Sequence, residues 1–494
     1  MANQLLATKS IDDLHADDTS GPKLRRVLSA TALTALGIGG IIGTGIFVLT
    51  GVAAAENAGP ALALAFIVAG IGCTLAGLCY AEFAAMIPVS GSAYSYSYAT
   101  LGEGIAWFIG WNLILEYLFA VATVSVGWSG YLVSLLDQIG LHLPTALASA
   151  PFGKGAGDLD VVSTGALINL PAVFIVAVLT YICYVGIRQS SVFNTVIVAI
   201  KVTVVLLFIF FGIAYINPDN WHPFIPPQEG PGKYGWPGIM TASGIIFFAY
   251  IGFDAISTAA QETKNPQRDM PIGILGSLVI CTVLYVVTAL VLTGMVRYTE
   301  LDVPAPVALA IDKHAPLRWL GIPVKLGAIA GMTSVMLVMT LAQARIFLAM
   351  ARDGLLGKRF AKVHPKHQTP SFSTVLTGVS AALIGGLFPV DILGKMVSIG
   401  TLAAFVTVCI GVLVLRYTRP DLHRPFRTPW PWFTCIGGAL VCGAMMVSLG
   451  WATWARLVVW TAVGAAVYVF YGYRHSRLHG ANAASRPARA SSGS

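Results

Sequence analysis

Charge is what this sequence has least of. Only 11% of its 494 residues are Asp, Glu, Lys or Arg, against roughly 25% in soluble domains. That shortage excludes a soluble globular chain and leaves an integral membrane protein. No Gly-x-x-x-x-Gly-Lys-Ser/Thr segment is present, so ATP hydrolysis within the chain is not expected. His-Glu-x-x-His is also missing, and the histidines fall mainly in loops and tails, so no metal and no cofactor are implied. The seven cysteines form no Cys-x-x-Cys pair, their number is odd, and each sits in or beside an apolar run. This excludes a disulfide framework and leaves packed thiols. No apolar h-region precedes the first long apolar run, so residues 1–28 read as a tail rather than a signal peptide. The Ala/Ser/Arg-rich end of the chain reads as a second tail, 474–494, disordered beyond Gly480.

Long apolar runs, by contrast, are plentiful. A bilayer core needs about 20 apolar residues per helix. On that measure spans are expected at 30–54, 60–87, 104–132, 165–187, 191–215, 237–260, 271–295, 324–350, 372–390, 393–415, 432–452 and 454–473. None shows the alternation of barrel strands. The fold class is therefore an all-α polytopic membrane protein with 12 transmembrane helices. The net charge of +8 sits in particular loops. Lys23, Arg25 and Arg26 precede span 1. Arg352, Lys358, Arg359, Lys362 and Lys366 follow span 8, Arg416, Arg419, Arg424 and Arg427 lie at and after the end of span 10, and Arg474 and Arg477 follow span 12. These fall on one side if the spans alternate, which puts both termini in the cytoplasm of a plasma (inner) membrane protein. The charge reports topology, not a nucleic-acid partner.

Span 1 carries six glycines between Gly37 and Gly51. A spanning helix keeps its hydrogen bonds to itself, so glycines at its centre suggest that it breaks there. Span 6 is similar: Gly244 and Gly252 bracket an apolar run that ends in Asp254 and Ser257. Each interrupted span opens a group of five, and because five is odd the second group is inverted. The expected units are 29–215 and 237–415, two inverted five-helix repeats, followed by 432–473. Two connections on the outer side are long, 143–165 and 217–238, the second rich in proline and expected to form a rigid, non-helical cover.

At the span 1 break, Gly43, Thr44 and Gly45 would start an outer half-helix whose positive end receives an anion. The carbonyls of Gly40, Ile41 and Ile42 suit an ammonium, as do those of Phe248, Ala249 and Ile251 from span 6. An anion acceptor beside an ammonium acceptor matches a free amino acid. The competing reading is close packing through Gly39-x-x-x-Gly43.

Ionisable residues lie far from either surface. Lys201, ten residues into span 5, is either a proton carrier or an ammonium permanently satisfied by carbonyls. Glu116 can meet a cationic side chain, take part in proton movement or be structural. Asp254 lines the pocket or caps a half-helix. Glu82 has a gating or structural role. Thr333 and Ser334 offer hydroxyls to Lys201 or to the pocket, and Met336 and Met339 share a face as core or as a subsite wall.

Three segments resemble the amino acid–polyamine–organocation superfamily: Gly39-Gly-Ile-Ile-Gly-Thr-Gly-Ile-Phe47, Phe247-Phe-Ala-Tyr-Ile-Gly-Phe-Asp254 and Glu262-Thr-Lys-Asn-Pro-Gln-Arg-Asp-Met-Pro271. Gln343-Ala-Arg345-Ile-Phe-Leu-Ala-Met-Ala-Arg-Asp-Gly-Leu-Leu356 and Trp111-Asn-Leu-Ile-Leu-Glu-Tyr117 resemble its cationic amino acid transporter branch. The resemblance implies a LeuT-type fold of two inverted repeats with discontinuous spans 1 and 6, plus spans 11 and 12. It implies a carboxylate held by Gly43, Thr44 and Gly45 and an amino group held by the carbonyls of Ile41, Phe248 and Ile251. It also implies that Lys201 stands where sodium-coupled relatives hold their ion. The expected activity is sodium-independent, proton-coupled symport of a neutral or cationic L-amino acid by alternating access, with no enzymatic reaction. An exchanger without net proton movement and an amino-acid-sensing receptor are the alternatives. Met339 would narrow and dry the side-chain pocket, against arginine or lysine.

Overall fold

A backbone in hydrocarbon must satisfy its own N–H and C=O groups, and the apolar runs accordingly fold as helices. The computed structural model describes residues 5–9, 28–86, 92–155, 160–186, 191–254, 256–257, 263–367 and 369–478. Most of the expected N-terminal tail, with Lys23, Arg25 and Arg26, lies outside the described residues, as do Glu262 and residues 479–494.

The long helices are α1 (Ala30–Ile41), α2 (Leu62–Met86), α3 (Glu103–Gln138), α4 (Leu170–Val185), α5 (Ser191–Gly212) and α6 (Gly235–Ile246). They continue as α7 (Pro266–Met295), α8 (Arg318–Arg352), α9 (Ser371–Leu387), α10 (Val390–Thr418), α11 (Pro431–Ser448) and α12 (Trp451–Val467). Among the described residues, eight helical stretches are long and apolar enough to cross a membrane, and α1, α4 and α9 are shorter apolar helices. One of the eight, Gly45–Met86, changes direction at Gly59, whose φ of +62° suits glycine, followed by Pro60. This is a multi-pass integral membrane protein. Several helices outrun the apolar limits expected of them: α3 continues to Gln138 and α8 begins at Arg318. Hydropathy marks where a helix leaves hydrocarbon, not where its hydrogen bonding stops.

Local sequence sets the ends. Ser29 caps α1 by accepting the Ala32 amide, and Asn169 caps α4 by accepting that of Ala172, with Pro171 in the first turn. Gly186, at φ +79°, ends α4 in the left-handed conformation. The connection after α3 holds a four-residue helix, Thr145–Ala148, and a small antiparallel ribbon pairing Phe152 with Ser163. The proline-rich connection before α6 is largely non-helical but contains one 3₁₀ turn, Pro218–Trp221.

Helix α3 is the central post, with α8 and α10 packed along it; α7 packs along α2 and α1, and α5 along α8 and α1. All seven cysteines are buried and free. Glu82 on α2 accepts Arg416 Nε and Nη2 of α10 (3.2 and 2.5 Å) and the Thr428 amide (2.8 Å), a tie from α2 to the loop after α10.

Candidate functional site

Helix α1 stops where expected. Ile42 is extended (φ −72°, ψ 104°), and the chain resumes through Thr44 into a π-helical turn, Gly45–Leu49. The first amides of a helix have no carbonyl one turn behind them, so this outer half presents N–H groups at its start. Helix α6 gives way to a 3₁₀ turn, Phe247–Tyr250, then extended Ile251 and Gly252 at φ +117°. The two breaks lie against each other. A Cβ on Gly252 would come within 2.6 Å of the Gly40 carbonyl oxygen, and one on Gly45 would collide with the Ala249 backbone. The glycines therefore permit a close approach of two backbones.

Between the breaks is a small cavity. It is lined by Gly40, Ile41, Gly43, Thr44 and Gly45 from span 1 and by Phe248 and Ile251 from span 6. Ala120 and Val124 of α3 and Val335 and Met339 of α8 complete the wall. The space amounts to about 10 Å³ for the centre of a water-sized sphere, room for about one water. No charged side chain lines it. The Thr44 hydroxyl is fully buried there without a hydrogen-bond partner among the described residues. Gly127 of α3 makes room for that side chain, since a Cβ at 127 would lie 2.7 Å from Thr44 Cγ2.

Lys201 is fully buried and donates to the carbonyls of Gly39 (2.5 Å) and Ile42 (3.0 Å), at the end of α1. Gly331 of α8 leaves space for its stem, with a hypothetical Cβ 3.2 Å from Lys201 Cγ. The ammonium thus replaces hydrogen bonds that the interrupted helix cannot make. The Tyr285 hydroxyl of α7 lies between the two breaks, 3.0 Å from the Ile41 carbonyl and 2.9 Å from that of Ala249, with one hydrogen to give to either.

Other candidate residues lie elsewhere. Thr333 donates to the Ile329 carbonyl and accepts Trp128 Nε1, while Ser334 donates to the Gly331 carbonyl. Both hydroxyls are thus turned to their own helix, and neither lines the cavity. Asp254 is buried outside it, accepting the Tyr117 hydroxyl and the Gly252 amide (3.3 Å), so it caps the break. Glu116 sits one turn along α3 from Ala120, fully buried, with neither oxygen partnered among the described residues. Thr401 of α10 neighbours it but gives its hydrogen to the Val397 carbonyl (3.0 Å). Met336 is core, away from the cavity.

Sequence reading did not single out Ala120, Val124, Val335, Gly127 or Tyr285. Ala120 and Val124 follow Glu116 at four-residue intervals on one face of α3, a periodic signal that was available. Tyr285 carries no such signal, because only the fold brings it to the carbonyls of Ile41 and Ala249.

Two broken helices whose freed backbone meets in a small cavity agree with what comparison with known proteins finds: the amino acid permease family model matches residues 28–471. The chain belongs to that family. It is 47% identical over 480 residues to the branched-chain amino acid permease BcaP of Bacillus subtilis (strain 168), covering 97% of this chain and 100% of that one. The methylthioribose transporter of the same bacterium is 47% identical over 477 residues, with 97% and 100% covered. Cationic amino acid transporter 4 of Homo sapiens is 37% identical over 416 residues, 84% of this chain and 63% of that protein. These relatives are named as permeases and transporters, and the chain is a member of a transporter family, not an enzyme.

Proposed function

We propose that this permease carries a free α-amino acid with a neutral, apolar side chain, in symport with protons and without sodium or ATP. The observation that carries the side-chain class is the wall of the cavity: Ala120, Val124, Val335 and Met339 face the breaks, with no charge among the lining residues. A buried guanidinium or ammonium there would meet no charged partner among the lining residues, which is costly. The amides of Gly43, Thr44 and Gly45 and the Thr44 hydroxyl would take the carboxylate. The carbonyls of Ile41, Phe248 and Ile251 would take the amino group, with Ile41 released from Tyr285. Lys201 is the proton-coupling residue in this reading, because its buried ammonium is held by two carbonyls at the end of α1, beside the span 1 break. A water-sized cavity is too small for an amino acid, so loading requires the bordering helices to part, as alternating access does.

In the same reading the helices make twelve crossings of an inner membrane with both termini in the cytoplasm. Residues 29–215 and 237–415 form inverted five-helix repeats, 432–473 add two crossings, and 1–28 and 474–494 are cytoplasmic tails. The test is uptake into proteoliposomes under an inward proton gradient. Radiolabelled leucine, isoleucine and valine should accumulate while arginine should not. Accumulation of arginine, or no dependence on the gradient, overturns the substrate class or the coupling respectively. A Met339→Ser variant should weaken leucine uptake and admit more polar side chains. A second reading comes from the equally similar relative named for methylthioribose, a neutral thioether sugar with no carboxylate. Competition of leucine uptake by methylthioribose would favour it.

A further inference from the structure

Outside the transport site, a groove of about 710 Å³ lies between the start of α7 and the loop after α10. Its polar end is Gln267 and Arg268, in the first turn of α7. Its body is apolar: Ile272, Leu275 and Val279 along α7, with Pro425 and Phe426 across from them. Gly276 also borders it. The apolar stripe does not end with the groove. Ile272, Val279 and Val283 are 45%, 54% and 59% exposed and lie on one face of α7, which in a multi-pass protein is a lipid-facing surface.

At the polar end, Arg268 is exposed, and its guanidinium has no ion-pair or hydrogen-bond partner among the described residues. Lys264, four residues before Arg268, and Arg427, next to Phe426, are both exposed. The carboxylate nearest in sequence, Asp269, is buried and accepts the Asn265 amide, so it does not neutralise the arginine. A free cation at one end of an apolar trough that opens onto a lipid-facing helix matches an amphiphile with an anionic head. Basic pockets at the cytoplasmic surface recognise such lipids.

We propose that this groove is a binding site for an anionic phospholipid of the cytoplasmic leaflet. Its phosphate lies against Arg268, and one acyl chain runs along Ile272, Leu275 and Val279 past Phe426. The leaflet assignment rests on the topology proposed above; the binding itself does not depend on transport.

The experiment uses the full chain in detergent, with lipid retention followed by native mass spectrometry and stability by thermal unfolding. Phosphatidylglycerol and phosphatidylcholine of identical acyl chains are the probes. Wild-type protein should retain and be stabilised by phosphatidylglycerol in preference to phosphatidylcholine. In Arg268→Gln that preference should fall about five-fold, the worth of one surface cation. Leu275→Ala, which removes part of the apolar wall without touching charge, should reduce retention of both lipids, whereas Arg297→Gln at the far end of α7 should change neither. Equal retention of the two lipids by wild type, or an unchanged preference in Arg268→Gln, overturns the proposal. So does displacement of the lipid by millimolar glycerol phosphate alone, which would make this a headgroup site without an acyl-chain groove. Leucine uptake measured in parallel separates the two readings, since retention can fail while uptake stands, and the reverse.

Discussion

The breaks in span 1 and span 6 solve one problem in different ways. At the first, the carbonyls freed from α1 are taken by side chains of other helices: Gly39 and Ile42 by Lys201 of α5, and Ile41 by Tyr285 of α7. At the second, most partners are local. The Ile251 amide donates to the Phe248 carbonyl, the Gly252 amide to Asp254, and the Ser257 hydroxyl to the Asp254 carbonyl (2.5 Å). The first break is thus tied to an ionisable group on a neighbouring helix, while the second largely closes on itself. On the coupling proposed for Lys201, a change in its protonation would act on the first break through the Gly39 and Ile42 carbonyls.

The severest test of that asymmetry is Lys201→Ala. It orphans two buried carbonyls, at about 1–3 kcal/mol each, and removes the titratable group. Accumulation driven by a proton gradient should be abolished, while counterflow exchange of preloaded leucine persists at a reduced rate. If gradient-driven accumulation survives unchanged in this variant, span 1 is no more coupled to ionisation than span 6.

Next in size is Gly252→Ala. Alanine at φ +117° is strained by about 1–3 kcal/mol, and its Cβ would meet the Gly40 carbonyl at 2.6 Å. The reciprocal Gly40→Ala has ordinary helical geometry, and its Cβ would sit 3.1 Å from the Gly252 oxygen. Thermal unfolding should therefore show a larger loss for Gly252→Ala than for Gly40→Ala. Equal losses would mean that shared contact, not the local strain of span 6, controls this junction.

Much of this was legible in the sequence, and unevenly so. The helical class, the two breaks and the place of Gly43, Thr44, Gly45, Phe248 and Ile251 at the cavity between them could be read because paired glycine-rich interruptions in apolar runs fit broken helices better than a packing seam. Lys201 was legible as buried because an ammonium ten residues into an apolar run has nowhere else to go. Its role was left between a proton carrier and an ammonium held by carbonyls; the structure shows the carbonyl contacts, with which both roles agree. The roles of Thr333 and Ser334 were harder, because a helical hydroxyl can turn to its own i−3 or i−4 carbonyl without any mark in the sequence. Asp254 was undecided between pocket and cap, since its partner Tyr117 lies 137 positions away in the chain.

A pair of tyrosines separates what the breaks share from what one of them owns. Tyr285→Phe removes a hydroxyl placed between Ile41 of span 1 and Ala249 of span 6, whereas Tyr117→Phe touches only the Asp254 cap. Each removes a hydrogen bond to a buried acceptor, about 1–3 kcal/mol. Hydrogen exchange should rise at both breaks in Tyr285→Phe, and around residues 251–254 alone in Tyr117→Phe. Protection lost at one break only in Tyr285→Phe would show that the hydroxyl serves a single carbonyl.

The smallest effect is expected from Ser334→Ala, and it bears on the comparison as directly as the largest. Ser334 stands three residues from Gly331, which shelters the Lys201 stem, so proximity alone would recruit its hydroxyl to the coupling site. Its hydrogen instead goes to the Gly331 carbonyl at 3.2 Å, a bond within its own helix. Such back-bonding contributes little to stability, and losing it should change the unfolding free energy by less than about 1 kcal/mol. Gradient-driven leucine uptake should stay within about two-fold of wild type, since less than about half a kcal/mol separates rates that close. A collapse of gradient-driven uptake with counterflow intact would instead make Ser334 part of the coupling apparatus. The span 1 break would then answer to a relay, not to Lys201 alone.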